Sequence, residues 1–367
     1  MKKLLLSLLL MSLPILASAD PVEIDGIWYN LDPKAKEAEV TKNPNNYSGN
    51  VEIPPFVTYN DIDYIVTSIG ESSFWQNSEL TSVTIPNNVT SIGDYAFQYC
   101  SGLTSVTIPD GVNSIGQNAF YSTAWYNNQP DGLVYAGKVV YNYKGEMPAN
   151  TNITIKAGTL GITSYAFFDN FNLTSVIIPN SMICIGEHAF SGCRGLSSIV
   201  VESGNQKYDS RNSCNAIIET SSNTLILGCM NTIIPNSVTS IGSGAFNECN
   251  GLTTINIPSS VNYIDGNAFT NCSGLTSINV ESGNSQYDSR NSCNAIIETS
   301  SNTLILGCKN TIIPNSVTTI GSGVFNGCSG LTTINIPNSV TSIVGNPFDG
   351  CSDLTSIIVD SDNPQYD

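Results

Sequence analysis

The sequence is short of charge. Asp, Glu, Lys and Arg together make up 12% of its 367 residues, about half the usual share of a globular chain. Asn, Ser, Thr and Gly stand in their place. A polar, uncharged mix favours short strands and tight turns and argues against a helical protein. Basic residues are scarcer still, 13 against 30 acidic. A phosphate backbone or an anionic membrane surface would repel such a chain, so nucleic acid is a poor partner. The acidic residues are scattered and form no calcium-loop motif, and they serve solubility. Histidine is nearly missing, with His188 alone. Zinc sites built on histidines are excluded by that count. His188 falls at a variable, solvent-facing position of a repeating pattern, with no nucleophile placed beside it by the pattern. No glycine-rich phosphate loop precedes a helix, and no acidic cluster stands outside the repeat. The chain reads as non-enzymatic, with no cofactor and no metal.

A long apolar run is also missing beyond the first residues. Lys2 and Lys3 open the chain, residues 4–16 are apolar apart from Ser7, Ser12 and Pro14, and Ala17, Ser18 and Ala19 precede Asp20. A basic start, a short apolar stretch and a small-residue cleavage site predict a secretory signal peptide over 1–19. The stretch is too short to span a bilayer, and no transmembrane segment follows it. Loss of Lys2 and Lys3 takes the formal charge from −17 to −19. The mature protein is expected to be secreted or held at the cell surface.

What the sequence has in abundance is repetition. Residues 80–102 read LTSVTIPNNVTSIGDYAFQYCSG, and residue 103 begins LTSVTIPDGVNSIGQNAF, a period of 23. An Ile followed five positions later by Phe occurs nine times, from Ile69/Phe74 to Ile343/Phe348. A longer period lies above it: Val201-Glu202-Ser203-Gly204-Asn205 returns 79 residues later at Val280, and nearly again at Val359. Fixed-period self-similarity of this kind predicts a stack of identical coils. Within one coil, Val83-Thr84-Ile85 alternates as a strand with one buried face. Pro86 ends it, because proline has no N–H for a ladder. Val89 and Ile92 turn inward, Gly93 allows a tight bend, and Asp94 starts a short helical turn that carries Ala96 and Phe97 to the core. One coil cannot bury its apolar side alone, whereas stacked coils form a continuous core. The predicted fold is a repeat solenoid, a mainly β right-handed coil with short helical turns and projecting β-hairpins.

The interruptions define the segments. Residues 20–64 lack the repeat and are read as an N-terminal β cap over the open edge. The solenoid then runs over 65–367, with an insert at 124–150 and hairpin units at 208–229 and 287–308. Asp367 falls where the other copies continue into Ser-Arg-Asn-Ser-Cys, so the chain is read as truncated in mid-repeat. Eleven cysteines cannot all pair within one chain. Six share one phase (Cys100, Cys193, Cys249, Cys272, Cys328, Cys351) and are read as a ladder of small buried side chains. Cys184 replaces a repeat Ser and is read as a free, partly buried thiol. The hairpin register sets Cys214 opposite Cys229 and Cys293 opposite Cys308, making these the candidate disulfides of an exported chain.

Three candidate binding surfaces follow. Outward strand positions, Thr84, Thr107, Asn256, Asn279 and Asn335 among them, form a hydroxyl and amide row on one face, the kind of surface that solenoids use to bind. The row holds no aromatic platform for a sugar. Trp125, Tyr126, Tyr135 and Tyr141 gather aromatics in the insert, and exposed aromatics favour interfaces. The hairpins, with Ile217, Ile218, Leu225 and Ile226, are the third.

The unit LTSVTIPNNVTSIGDYAFQYCSG, with Ile-Pro, Ser-Ile-Gly, Ala-Phe and Cys in fixed phase, resembles the repeat of BspA-like, treponemal-type leucine-rich-repeat surface proteins. The resemblance covers nearly all of the mature chain. It implies an exported bacterial surface protein, as of an oral or gut anaerobe, engaged in adhesion to host extracellular-matrix proteins or to surface proteins of other bacteria. The alternative is a structural or glycan-binding surface component without a dedicated protein ligand.

Overall fold

The computed structural model describes residues 20–366, so the expected signal peptide lies outside the described residues. The chain is a mainly-β solenoid of about 13 turns with almost no helix. It divides into two compact units between Gln129 and Pro130.

In the first unit, strand Leu80–Thr84 lies parallel to Ser105–Thr107, with Val83 opposite Val106 and Thr84 opposite Thr107. Val83 and Ile85 are buried and Thr84 is exposed, as the alternation requires. A second parallel ladder runs through the Ser-Ile pairs, with Ile69 opposite Ile92 and Ile92 opposite Ile115. The phenylalanines stack one per coil. Ring centroids are 4.7 Å apart for Phe74 and Phe97 and 5.2 Å for Phe97 and Phe120, nearly parallel. Tyr47 covers one end of this column at 4.5 Å and Trp125 the other at 4.9 Å.

The phase expected to make short helical turns does something else. Tyr95 and Tyr99 sit at φ of 57° and 62°. The N–H groups of Tyr95, Phe97 and Tyr99 point to the next coil and donate to the carbonyls of Gln117, Ala119 and Tyr121 at 2.7–2.9 Å. An α-helix closes its bonds on itself, whereas here each coil's bonds go to its neighbour. This is a third ladder of coil-to-coil bonds.

The N-terminal segment is a cap and also part of the stack. Val22–Ile24, Ile27–Asp32 and Glu37–Val40 pair antiparallel in order. Glu37–Val40 then pairs parallel with Ile62–Ile69, and Gly49–Glu52 parallel with Leu80–Thr84. Residues 37–52 thus supply a coil although they lack the motif.

In the second unit the same ladders recur, interrupted by hairpins. Gly132–Ala136 and Val139–Lys144 form one, and the latter strand pairs parallel with Gly161–Ile162. Ala216–Glu219 and Thr224–Gly228 form the next, and Thr224–Gly228 pairs parallel with Ser240–Ile241. Ile296–Glu298 and Thr303–Leu306 repeat it against Thr319–Ile320. These hairpins do not project: each takes the place of a rung. Ile217, Ile218 and Leu225 are accordingly fully buried.

Candidate ligand-binding surfaces

The strand rows stand in water as expected. Thr84, Thr107, Asn256, Asn279 and Asn335 are all exposed. Their side chains stay outside because their neighbours on the same strands, such as Ile255 and Ile257, are drawn into the core. In the second unit Asn256 lies opposite Asn279, and Asn279 donates to the Asn256 carboxamide. Asn256 donates in turn to Glu281 Oε1 at 3.0 Å. Asn335 lies opposite Ile358. The row comes as short ladders of two or three strands, because the hairpins break its sheet. One stretch is apolar, where Ile177 lies opposite the exposed Val200.

The aromatic candidates fall in both units. Trp125 and Tyr126 belong to the short helix Ala124–Asn127, and the Trp125 ring packs on Phe120. Thr123 caps that helix, accepting from Tyr126 N at 3.0 Å. In the second unit Tyr141 is buried, and the hydroxyl of the partly buried Tyr135 accepts from Lys156 N at 3.2 Å. Tyr141, Ile217, Ile218 and Leu225 are buried and Trp125, Tyr126, Tyr135 and Ile226 partly so, whereas the strand-row residues are exposed.

All eleven cysteines are free thiols, and neither proposed pair is joined. Cys229 Sγ points to the Asn215 carbonyl at 3.3 Å and Cys214 Sγ to that of Ala216 at 3.8 Å. Cys308 and Cys293 do the same with Asn294 and Ala295. The phase-locked cysteines have a role that spacing did not reveal. Cys100, Cys193, Cys272 and Cys351 each donate to the carbonyl of the Phe one coil earlier, at 2.8–3.2 Å. Burial pushes the thiols of Cys100 and Cys193 up to about 12, so they stay protonated and are poor nucleophiles at neutral pH. Cys184 is a partly buried free thiol.

His188 is exposed, with its ring stacked on Tyr165 at 5.3 Å. Its Nδ1 lies 3.1 Å from Ser191 Oγ, which also accepts from Asn247 at 3.3 Å. The hydroxyl is buried and no carboxylate is bonded to the ring among the described residues. Among those residues no three His, Cys, Asp or Glu side chains converge as metal ligands, and no helix is long and apolar enough to cross a membrane.

Sequence reasoning missed two recesses beside the hairpins, one of about 450 Å³ and one of about 290 Å³. A signal was present: the Ile and Phe pair is missing between Phe190 and Ile241 and again between Phe269 and Ile320.

Comparison with known proteins gives a consistent result. The family model described as the BspA type leucine rich repeat region matches in six copies, over residues 58–130, 141–226, 227–305 and 303–366. No curated protein matches. Among solved structures, a leucine rich cell surface protein from Faecalibacterium prausnitzii is 25% identical, covering 94% of this chain and 96% of that one, at a TM-score of 0.43. A leucine-rich repeat protein from Bacteroides ovatus is 27% identical, with 92% and 82% covered and a TM-score of 0.33. One from Eubacterium ventriosum is 20% identical, with 90% and 82% covered and a TM-score of 0.44.

Proposed function

The chain belongs to the BspA-type leucine-rich repeat family, a family of surface proteins, and from that premise we propose that it is an exported bacterial surface protein that binds other proteins or cells, in adhesion to host matrix or to other bacteria. The observation that carries this reading is the row of exposed, uncharged strand residues. Serine, threonine and asparagine side chains there offer hydrogen bonds at about 4.8 Å intervals along a stack. Such a surface meets another protein's polar groups without burying unpaired charge. The apolar step at Ile177 and the exposed Val200 gives the row a patch that a partner would desolvate on binding. The scaffold performs no chemistry in this reading. Burial holds thiols such as Cys100 and Cys193 protonated, and among the described residues no carboxylate is bonded to its one imidazole.

The test is solid-phase binding of residues 20–367 to a panel of matrix proteins, glycans and whole bacterial cells. Saturable binding to a protein or to cells is expected. Replacing Thr107, Asn256 and Asn279 by Lys should weaken it by more than about tenfold and cost about 1 kcal/mol of stability, because the three positions are exposed but Asn256 and Asn279 lie opposite each other and are bonded. Unchanged affinity in the folded triple variant would remove the strand rows as the binding face. Binding to polysaccharide alone would favour a structural or glycan-binding component.

A further inference from the structure

The turn after Ile162 leaves three aromatic side chains outside the core. Its backbone is laced to the next coil: Tyr165 N donates to Glu187 O at 3.2 Å, Phe167 N to Ala189 O at 2.8 Å and Asp169 N to Ser191 O at 3.0 Å. That pattern turns Ala166 and Phe167 inward and the residues on either side outward. Tyr165, Phe168 and Phe171 accordingly keep 39%, 44% and 50% of their surface in water. Tyr165 and Phe168 meet edge to face with ring centroids 5.6 Å apart, and the exposed His188 of the next coil stacks on Tyr165 at 5.3 Å. Two carboxylates adjoin these rings in sequence, Asp169 after Phe168 and Glu187 before His188. Both are exposed, and among the described residues neither forms an ion pair.

The third ring shows what such a place holds. Arg194 lies over Phe171, its guanidinium carbon 4.9 Å from the ring centroid, and the same guanidinium pairs with Glu248 Oε2 at 3.0 Å. A cation is thus held by a ring face and a carboxylate together. Lys207 sits over Tyr208 at 5.3 Å, and in the first unit Lys42 sits over Trp75 at 5.5 Å. The chain has only 13 basic residues for 31 aromatic ones, so most rings have no cation of their own to hold. Among the described residues no basic side chain lies over Tyr165 or Phe168. Glu248 answers the charge of Arg194, and Asp169 and Glu187 leave the patch acidic.

We propose that Tyr165, Phe168 and Asp169, with Glu187 and His188 of the next coil, bind a basic segment of a partner protein. An arginine or lysine of that segment lies over the exposed rings, with its charge answered by the two carboxylates. Sign and shape both select this occupant. A ring face attracts a cation through its quadrupole, and a guanidinium also stacks flat upon it. The chain as a whole, at a formal −17, draws a basic segment towards it. An acidic segment would be repelled, and a purely apolar one would cover two carboxylates without giving them a partner. The proposal names the chemistry of the partner and rests on the reading of the chain as a protein binder. It places this contact on the turns, a different surface from the strand rows.

The probes are the acetylated, amidated peptide Gly-Ser-Arg-Ser-Arg-Ser-Gly and the same peptide with citrulline, which keeps the shape and loses the charge, in place of arginine. Each is titrated into residues 20–367 and followed by amide NMR. The arginine peptide is expected to bind at least about tenfold tighter than the citrulline peptide. It should shift the Phe168 and His188 amides in a saturable way. Tyr99 and Tyr121 are an exposed ring pair of the first unit, 5.9 Å apart, with no carboxylate next to either in sequence, and their amides should stay in place. Two double variants separate rings from charge. Tyr165→Asn with Phe168→Ser removes the rings, and asparagine suits the φ of 61° at Tyr165. Asp169→Asn with Glu187→Gln removes the charge and keeps the rings. Each should weaken the arginine peptide by about tenfold or more. Equal binding of the two peptides, shifts confined to other residues, or full affinity in the folded ring variant would overturn the proposal. The first two readouts need no variant. The panel of matrix proteins and cells, run on the wild-type chain, reads the surface function separately. Binding there without a preference for the arginine peptide would discard the patch and keep the function.

Discussion

At the residue scale the tightest constraint falls on two glycines. Gly228 and Gly307 occupy the position that holds phenylalanine elsewhere, and the ring of the next coil lies over each. Neither is there for its backbone, since neither has a positive φ. They are there because a methyl group has nowhere to go. Gly228→Ala and Gly307→Ala should each cost about 1–3 kcal/mol by overpacking. The pair should be close to additive, as the sites share no partner. Gly266, which has open space around its Cβ position, should tolerate alanine within about 0.5 kcal/mol. Urea unfolding midpoints of the three variants check this, and equal effects at Gly228 and Gly266 would refute the steric account. The cysteines show what a sequence conceals at this scale. The burial of Cys100, Cys193, Cys272 and Cys328 was legible from phase, because a residue that returns with the core shares its environment, while Cys249 and Cys351 of the same phase are only partly buried. The Cys100 bond to the Phe74 carbonyl was not, since the acceptor lies 26 residues earlier and is set by coil stacking.

At the element scale the longer repeat explains itself as a joint. Asn205 closes the coil before the hairpin: its side-chain nitrogen donates to the carbonyls of Pro179 and Met182 at 3.1 and 2.9 Å, and its oxygen accepts from Lys207 N and Tyr208 N. Asn284 and Asn363 make the same bonds. Arg211 then ties the hairpin down. It forks onto Asp209 at 2.6–3.0 Å and reaches Asn223 at 2.9 Å and Ser237 at 3.2 Å, and Arg290 repeats this with Asp288, Asn302 and Ser316. A lysine carries the charge without the fork. Arg211→Lys should therefore cost about 0.5–1.5 kcal/mol, a modest figure because the pair is partly exposed. Hydrogen exchange should report it locally, with faster exchange at Ile218 and Leu225 and none at Ile92. The same loss spread over the whole chain would contradict the role. The motif alone showed that these residues return. It did not show the hairpins as rungs, because their strands carry continuous apolar runs that a projecting or an inserted hairpin would share. The first coil escaped for the opposite reason. Residues 37–52 pair through backbone groups, which leave no mark on the side-chain pattern. The turn at Tyr95 to Tyr99 was misread as helical because an Asp before Ala and Phe favours a helix start locally, while stacking redirected its N–H groups to the next coil.

At the scale of the whole molecule, buried thiols make stability depend on alkaline pH, and they are distributed unequally. Cys100 is the single cysteine before Gln129, and the other ten follow Pro130. Burial pushes Cys193, Cys249 and Cys328 from an ordinary 9.0 up to about 12, and raises Cys272 beyond them. The sign follows from which state holds the proton. Above pH 9 the unfolded chain releases thiol protons that the folded chain keeps. Stability is whole below that pH and falls as pH rises towards 12, by about 1.4 kcal/mol per pH unit for each such thiol. Several thiols acting together would exhaust a typical 5–15 kcal/mol within about two to three units. In the first unit Cys100 alone acts from pH 9, and the buried Tyr47, raised from 10.0 to about 12, and Tyr29, raised beyond it, join only above 10. The second unit should therefore unfold at lower pH than the first. The three tryptophans, Trp28, Trp75 and Trp125, all lie in the first unit, so their fluorescence reports that unit while circular dichroism reports both. In reductant, ellipticity should fall between about pH 9 and 11 ahead of any tryptophan change. Cys249→Ala with Cys272→Ala should move the ellipticity midpoint upward and leave the fluorescence midpoint in place. Coincident transitions in the wild-type chain, or a midpoint indifferent to those two substitutions, would mean that the buried thiols do not govern alkaline unfolding.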